Sequence, residues 1–330
     1  MRTKYGLALI ATTVLAGVAL AGCTTGDGTG STSAVGQTAK VDASSNAGAC
    51  GQETRSITHE LGTTEIKGEP QRVVALEFSF VDALASIGVK PVGVADDNDQ
   101  KRILPQVLDQ IAGYTSVGLR QSPNLQQISA LKPDLIIADT ERHKAIYDQL
   151  KGIAPTIAFD SLNASYQENL NSAVAISQAL NRCAAMDERL RKHRDTMAAF
   201  KAKIPAGEKT KYMFGIASEK TFAVYTGDAY ATSVLRELGL ESVPPTEGQN
   251  TRVELSLETF VATDPPVLFV AKSADKTLFD QWQTSPLIRQ VTAVKEHRVY
   301  PVTQAVWSRW RGIICAELIA QDVITKLYGG

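Results

Sequence analysis

The sequence predicts an α/β fold in which two Rossmann-like lobes are joined by a single long backbone helix. Three observations support this prediction. Strand and helix patterns alternate on both sides of mid-chain, which favours mostly parallel sheets with right-handed crossovers. Residues 165–203 contain neither Pro nor Gly. A helix–turn–strand unit of the first half also recurs in the second half.

The chain begins with the pattern of an exported lipoprotein. A basic start precedes a short apolar run that ends in Leu20-Ala21-Gly22-Cys23, which resembles a bacterial lipobox. Residues 1–22 are therefore predicted to be a signal peptide, and Cys23 the lipidated first residue of the mature chain. The alternative, a transmembrane helix, needs about 20 apolar residues. We expect a lipid anchor at the extracytoplasmic face of the cell membrane.

Residues 23–55 are predicted to be a disordered tether, and residues 56–164 the N-terminal lobe. The tether is rich in Gly, Ser, Thr and Ala, and it cannot bury enough apolar surface to offset its conformational entropy. In the lobe, apolar runs of strand length alternate with segments of helical periodicity. The predicted strands are Arg72–Leu76, Val89–Val94, Thr115–Gly118, Leu135–Ala138 and Thr156–Phe159, and the predicted helices are Ser79–Ile87, Asp99–Leu108, Asn124–Leu131 and His143–Leu150.

Residues 165–203 are predicted to be one helix that connects the lobes. Ser165 and Glu168 have the spacing of a capping box, and Pro205 and Gly207 provide the stop. At about 1.5 Å per residue the helix would exceed about 50 Å. A coiled-coil arm is the alternative, but the apolar stripe is irregular and no heptad persists.

Residues 204–330 are predicted to form the C-terminal lobe. The repeat supports this division, because Leu125–Ala138 and Leu257–Val270 match in register as a short helix, a turn with proline and a buried strand. The other predicted elements are strands at Lys211–Ala217, Thr221–Thr226 and Val299–Val302, and helices at Tyr230–Leu238, Leu278–Trp282, Leu287–Val291 and Trp310–Leu327.

Composition and motifs narrow the classes of function. A net charge of −1, with 44% hydrophobic and 21% charged residues, argues against a nucleic-acid partner. The nucleophile-elbow, P-loop and dinucleotide-binding signatures are absent, which argues against an enzyme and against a bound cofactor. Of the four histidines, only His143 and His297 remain as candidate ligands, which is too few for a cage around a bare metal ion. A metal that is already held by an organic chelator needs no such cage.

Arginines follow several predicted strands. In open α/β sheets, ligands bind beyond the carboxyl ends of the strands. Arg120, and Arg142 with His143, follow the third and fourth strands of the first lobe, while Arg309 and Arg311 follow the last strand of the chain. A single Arg at such a position is typically a surface residue or part of a local ion pair. Several in both lobes indicate a polyanion site, because guanidinium groups bind carboxylates through paired hydrogen bonds.

Four motifs carry a resemblance to a known family: ALKPDLI, LEFSF, TERH and WSRWRG. From about Thr58 to Tyr328, the chain resembles the bacterial iron–siderophore substrate-binding proteins of ABC importers, and within that family it looks like the iron(III) dicitrate-binding branch. The first motif is typical of the wider family, whereas the other three are narrower. The resemblance implies the class III periplasmic-binding-protein fold with its single backbone helix, a monomer, and no enzymatic activity. The segments that carry it are Arg72–Pro105, Ser116–His143, Ile153–Thr156 and Trp307–Asp322.

By position, the resemblance implies a ligand site and a partner. The ligand is an anionic ferric chelate, with iron(III) dicitrate as the first candidate, and the partner is an ABC permease dimer. The family docks through one acidic residue on each lobe; the matching positions are Glu258 and Gln126. The ligand-binding positions implied are Arg120, Arg142, Arg309 and Arg311, with Glu77, Trp307 and Tyr225 as cleft walls.

Two alternatives to this function remain open. The ligand could be another siderophore, haem or cobalamin, or the chain could be a chelate-processing enzyme on a related scaffold.

Alternatives also remain for individual residues. Instead of binding the ligand, Arg311 could be a structural partner of Glu317 or of another acidic residue. Among the cysteines, Cys50 and Cys183 are predicted to form a disulfide, with three free thiols as the alternative, and Cys315 to be a buried free thiol.

Overall fold

The computed structural model describes residues 48–225, 227–243 and 252–329. The predicted signal peptide, Cys23 and most of the tether lie outside the described residues. The described chain opens with an antiparallel hairpin of two strands, β1 (Thr54–His59) and β2 (Gly62–Lys67). Arg55, Ile57 and His59 of β1 are all buried. The hairpin was not predicted, because the two polar side chains on its inner face hide the apolar alternation of a strand.

The N-lobe is built on a five-stranded parallel sheet, as the alternating pattern predicts. In chain order its elements are β3 (Val73–Ala75), α1 (Phe78–Ser86), β4 (Gly93–Val94), α2 (Pro105–Leu108), β5 (Thr115–Ser116), α3 (Leu125–Ala130), β6 (Leu135–Asp139), α4 (Tyr147–Lys151) and β7 (Thr156–Phe159). The strand order is β5-β4-β3-β6-β7, so β3 lies in the middle of the sheet.

In place of the predicted single connecting helix there are two helices, α5 (Tyr166–Ala179) and α6 (Cys183–Lys201). The prediction of one continuous helix was therefore wrong. The predicted capping box at Ser165 and Glu168 is present. The break comes at Asn181, whose φ of 57° is left-handed, and the N–H of Arg182 closes the end of α5 on the carbonyl of Ser177 at 2.8 Å. Asparagine tolerates this conformation better than most residues, so it ends a helix without a proline or a glycine.

The helix junction is tied to the beginning of the described chain. Cys50 and Cys183 form a disulfide, and the side chain of Asn181 accepts the N–H of Gly51 at 2.8 Å and donates to Glu69 at 3.0 Å. The disulfide and these two hydrogen bonds hold the incoming chain against the first residue of α6.

The C-lobe has a mixed sheet. In chain order its elements are β8 (Lys211–Ala217), β9 (Phe222–Tyr225), α7 (Tyr230–Glu237), β10 (Glu241–Ser242), β11 (Arg252–Glu254), α8 (Leu257–Thr263), β12 (Leu268–Lys272), α9 (Leu278–Trp282), α10 (Thr292–Lys295), β13 (Val299–Val302) and α11 (Ile313–Tyr328). The strand order is β11-β9-β8-β12-β13, with β10 paired to the start of β8. Strands β8, β12 and β13 are parallel, β9 is antiparallel to β8, and β11 is antiparallel to β9.

The sequence repeat corresponds to equivalent units in the two lobes. Helices α3 and α8 are capped by the side chains of Asn124 and Ser256, and each leads into a central strand of its sheet, β6 or β12. The residue before the proline is left-handed in both turns, with φ of 47° at Lys132 and 43° at Asp264. One continuous apolar core runs through α1, α5, α6, α7 and α11 and joins the lobes. The two-lobe α/β class is therefore confirmed.

Candidate functional site: an arginine-lined cleft between the lobes

The carboxyl ends of the N-lobe strands bring Glu77, Arg120 and Arg142 together. Glu77 follows β3, Arg120 follows β5 and Arg142 follows β6, so parallel pairing places all three at one edge of the sheet. Arg120 Nη1 lies 3.2 Å from Glu77 Oε2, and Arg142 Nε lies 2.6 Å from Glu77 Oε1. The second pair is a charge contact, since neither of those two atoms makes a hydrogen bond to any residue that the structure describes.

Glu77 was predicted to form a wall of the cleft. In the structure it is instead a buried counter-ion of the two arginines. It is 2% exposed. Burial raises the pKa of its carboxyl, and the charges of Arg120 and Arg142 oppose that rise. A buried carboxylate between two guanidinium groups fixes both of them. Its function in the cleft is therefore to hold the arginines in place.

Asp97 is a second carboxylate of this cluster that the strand-end argument did not single out. It follows β4 in a left-handed conformation, with φ of 63°. Its carboxylate accepts the backbone N–H of Arg120 at 2.9 Å, the Nη2 of the same residue at 2.9 Å and the Nη1 of Arg102 at 2.9 Å. Burial alone would raise the pKa of Asp97, but the hydrogen bonds from Arg120 outweigh it and hold that pKa below its usual value.

Unlike the N-lobe arginines, which contact carboxylates, the C-lobe arginines Arg309 and Arg311 donate to neutral oxygens. Arg309 Nη2 donates to Gln304 Oε1 at 3.1 Å, and Arg311 Nη2 donates to the carbonyl of Leu162 at 3.0 Å. Within the part of the chain that the structure describes, neither guanidinium has a carboxylate oxygen within 4.0 Å. The Nε of Arg311 is buried without a hydrogen-bond partner among those residues.

Arg309 faces the N-lobe cluster. Burial lowers the pKa of its guanidinium, and the nearby positive charges of Arg102 and Arg120 lower it further. Asp97 and Asp99 act in the opposite direction. Positive side chains of the two lobes are therefore close enough to repel one another, and an anion between them would relieve that repulsion.

A pocket of about 20 Å³, partly open to solvent, lies where the lobes meet. Tyr225 is half-buried on its C-lobe side, stacked on Phe214 with ring centres 5.2 Å apart. Leu162 on the N-lobe side is 39% exposed. The pocket is lined by Leu162, Asn163, Tyr225, Ala229, Tyr230, Ala231, Trp307, Ser308 and Arg311.

Trp307 forms the floor of this pocket and is not an open wall. It is 1% exposed, its ring packs on Phe214 and Phe269 at 5.1 and 4.7 Å, and its Nε1 donates to Asp322 at 2.9 Å. A tryptophan that follows a strand can face the cleft or the core. Here the ring packs into the aromatic core of the C-lobe sheet. Arg311 does not pair with Glu317 as the structural alternative proposed, because Glu317 binds Arg189 at 2.8 Å.

A buried contact, which we call the interlobe seam, joins α1 of the N-lobe to the start of α11. Trp310 stacks on Phe78 with ring centres 4.8 Å apart. Asp82 is fully buried and accepts the N–H groups of Ile314 and Cys315 at 3.1 and 3.0 Å. Gly312 has φ of 123°, and a Cβ there would lie 2.4 Å from the Asp82 carboxyl carbon. Since Arg309 and Arg311 flank Trp310, the seam holds them against the N-lobe.

The comparisons with known proteins identify the family. A family model described as periplasmic binding protein matches residues 73–306. The chain belongs to the periplasmic binding protein family. It is 41% identical over 277 residues to the Fe(3+)-citrate-binding protein YfmC of Bacillus subtilis, covering 84% of this chain and 87% of that one. It is 40% identical over 269 residues to the Fe(3+) dicitrate-binding periplasmic protein FecB of Escherichia coli, covering 82% and 89%.

Among solved structures, the chain is similar to Staphylococcus aureus SirA complexed with staphyloferrin B. That match has a TM-score of 0.74 at 29% identity and covers 83% of this chain and 98% of the SirA chain. Membership of the family confirms the resemblance drawn from the sequence motifs and, with the two sheets, the class of fold.

Two exposed residues of this periplasmic binding protein occupy equivalent places on the two lobes. Gln126 is the second residue of α3, and Glu258 is the second residue of α8. Their role in docking stays a prediction. Among the described residues, no helix is long and apolar enough to cross a membrane, and no three His, Cys, Asp or Glu side chains form a group able to hold a metal ion.

Proposed function

We propose that this periplasmic binding protein is the receptor of an ABC importer and that it binds an anionic ferric chelate, with iron(III) dicitrate as the first candidate. The observation that carries the proposal is the pair Arg309 and Arg311. Both lie at the cleft, and neither has a carboxylate partner in the described residues. A ligand that brings its own carboxylates would supply charge-assisted hydrogen bonds to both.

The names of the similar proteins support the same class of ligand. YfmC and FecB are described as binding Fe(3+)-citrate and Fe(3+) dicitrate, and SirA is complexed with staphyloferrin B. The cluster of positive side chains disfavours a neutral hydroxamate chelate, which would leave the arginines desolvated and unpaired. The iron would be transported inside its chelator, and the protein would bind the chelate without changing it.

The cell-biological part of the proposal follows from the sequence and the family. The chain would be held at the extracytoplasmic face of the membrane by lipid on Cys23, as a monomer, and would deliver its ligand to a permease dimer through Glu258 and Gln126. Both positions are exposed and lie in the first turn of matching helices, so a permease could reach them without disturbing the cleft.

Isothermal titration with a panel of chelates tests the ligand assignment. The panel contains ferric citrate with excess citrate, citrate alone, a carboxylate siderophore, haem, cobalamin and a neutral ferric hydroxamate. We expect one-to-one binding of ferric citrate with no chemical change of the chelate, and no comparable binding of the neutral hydroxamate. Tighter binding of the hydroxamate, or turnover of the chelate, would overturn the proposal.

A further inference from the structure

His143 lies between the two arginine-bearing turns of the N-lobe and has no exposed surface. Its Nδ1 lies 2.8 Å from the backbone N–H of Asp139, and its Nε2 lies 2.7 Å from the carbonyl oxygen of Arg120. Because a carbonyl only accepts, Nε2 must carry the proton. Because a backbone N–H only donates, Nδ1 must be bare. The surroundings therefore fix the ring as the neutral Nε2–H tautomer.

The same turn also fixes the backbone of Arg142. The fully buried carboxylate of Asp139 accepts the N–H of Arg142 at 2.7 Å and, from the end of β7, the N–H of Ser161 at 2.8 Å. The backbone N–H of His143 donates to the carbonyl of Asp139 at 3.1 Å. The ends of β6 and β7 are therefore joined through Asp139, and His143 joins them to the turn that carries Arg120.

We propose that His143 is a positioning residue of the cleft, whose neutral ring holds the Arg120 turn and the Arg142 turn at one separation. It does not reach the cleft itself. It acts through the two arginines, which it keeps in register on either side of Glu77. The inference deepens the proposed function and rests on it as far as ligand binding is concerned.

Protonation of His143 would break this arrangement, because the second proton would go to Nδ1 and face the N–H of Asp139. Burial lowers the pKa of the imidazole, and the positive charge of Arg142 lowers it too. The hydrogen bond to the Arg120 carbonyl and the Asp139 carboxylate favour the charged form. The ring is therefore neutral near pH 7, and acidification would release the turns.

Two substitutions of His143 distinguish the effect of its hydrogen bonds from the effect of its volume. His143→Ala removes both bonds. His143→Gln offers an amide oxygen to the Asp139 N–H and an amide N–H to the Arg120 carbonyl, and it does not titrate. His59→Ala is the matched control: His59 is also a buried N-lobe histidine with both ring nitrogens engaged, by Thr64 and by the N–H of Leu61, but it lies in the β1–β2 hairpin.

Ferric citrate titrations of the full chain are the first arm of the test. We expect His143→Ala to weaken binding about 5-fold, His143→Gln to restore most of the affinity at pH 7.5, and His59→Ala to bind like the wild type. Below neutral pH the wild type should lose affinity faster than His143→Gln, and the state of the chelate is the same for both. Unchanged affinity in His143→Ala, equal losses in Ala and Gln, or parallel pH profiles would overturn the inference.

Nitrogen-15 NMR of the ligand-free protein is the second arm, and it does not depend on the identity of the ligand. We expect an Nε2–H, bare-Nδ1 signature for His143, and displaced Nε–H signals of Arg120 and Arg142 in His143→Ala. If the wild type binds no ferric chelate but these signals behave as expected, the proposed function fails and the positioning role stands. If the arginine signals do not move, the positioning role fails.

Discussion

The arginines on the two sides of the cleft are held in opposite ways. Arg120 and Arg142 of the N-lobe contact the carboxylates of Glu77 and Asp97, within a network that is almost closed to solvent. Arg309 and Arg311 of the C-lobe donate only to neutral oxygens in the described structure. The N-lobe arginines are therefore a preformed frame, whereas the C-lobe arginines carry the uncompensated charge that a polyanion would neutralise.

The largest loss of chelate affinity should follow Arg309→Ala. Removal of a charge-assisted contact costs about 2 kcal/mol, which is roughly 30-fold in Kd. The free energy of unfolding should change little, since among the described residues the side chain donates only to Gln304. Titration of ferric citrate measures the first effect and urea unfolding the second. Arg309→Lys, which keeps the charge without the planar fork, should lie between the wild type and the Ala variant.

Arg120→Ala should show the opposite pattern, with a smaller loss of chelate affinity and a larger loss of stability. Its guanidinium is already shared with Asp97 and Glu77, so we expect a smaller loss of affinity, about 1 kcal/mol or roughly 5-fold. The unfolding free energy should fall by about 3 kcal/mol, because Glu77 loses a partner in a buried site. The same two measurements apply. An affinity loss larger than that of Arg309→Ala, with normal stability, would contradict the comparison of the two sides.

Asp82→Asn probes the interlobe seam, and its clearest effect should be on the pH dependence of stability. Burial raises the pKa of Asp82 from 3.8 to about 7 in the folded protein. The folded state therefore binds the proton more tightly, and the unfolding free energy falls as pH rises from about 4 to about 7. The substitution removes that contribution.

Urea unfolding between pH 4.5 and 8 tests this prediction. The slope against pH should be shallower in Asp82→Asn than in the wild type. A residual slope should remain from Glu60, whose pKa burial raises to about 7 as well. Identical slopes in the two proteins would show that Asp82 does not titrate in this range.

Glu258→Ala should leave chelate affinity unchanged, because the side chain is exposed at the start of α8. Uptake of labelled ferric citrate by cells should nevertheless fall strongly, and Gln126→Ala should have a smaller effect, because an amide offers a permease arginine only a neutral acceptor. Normal uptake with Glu258→Ala would mean that docking uses other residues.

Local sequence patterns predicted most of the fold. Alternating strands and helices indicated both lobes, and the capping box marked the start of α5 at the correct residue. The continuous helix failed because Asn181 ends α5 through a single left-handed residue, which sequence periodicity does not show. The β1–β2 hairpin was missed because its inner face carries Arg55 and His59, which are buried through specific partners.

The sequence predicted only part of the candidate site. The strand-end rule singled out Arg120, Arg142, Arg309 and Arg311, because the carboxyl ends of parallel strands lie at one edge of a sheet. It could not show which of them are paired, since Asp97 reaches Arg120 across 23 residues through a left-handed turn. Nor could it show that Trp307 faces the core, because packing against Phe214 and Phe269 depends on the sheet around it.

A crystal structure of the protein with ferric citrate would show which arginines hold the ligand. We expect citrate carboxylate oxygens about 2.7–2.9 Å from the guanidinium nitrogens of Arg309 and Arg311. We also expect Arg120 to keep both of its contacts, to Asp97 and to Glu77. A complex in which the chelate displaces Glu77 from Arg120, while Arg309 and Arg311 turn away into solvent, would disprove the different roles of the two pairs.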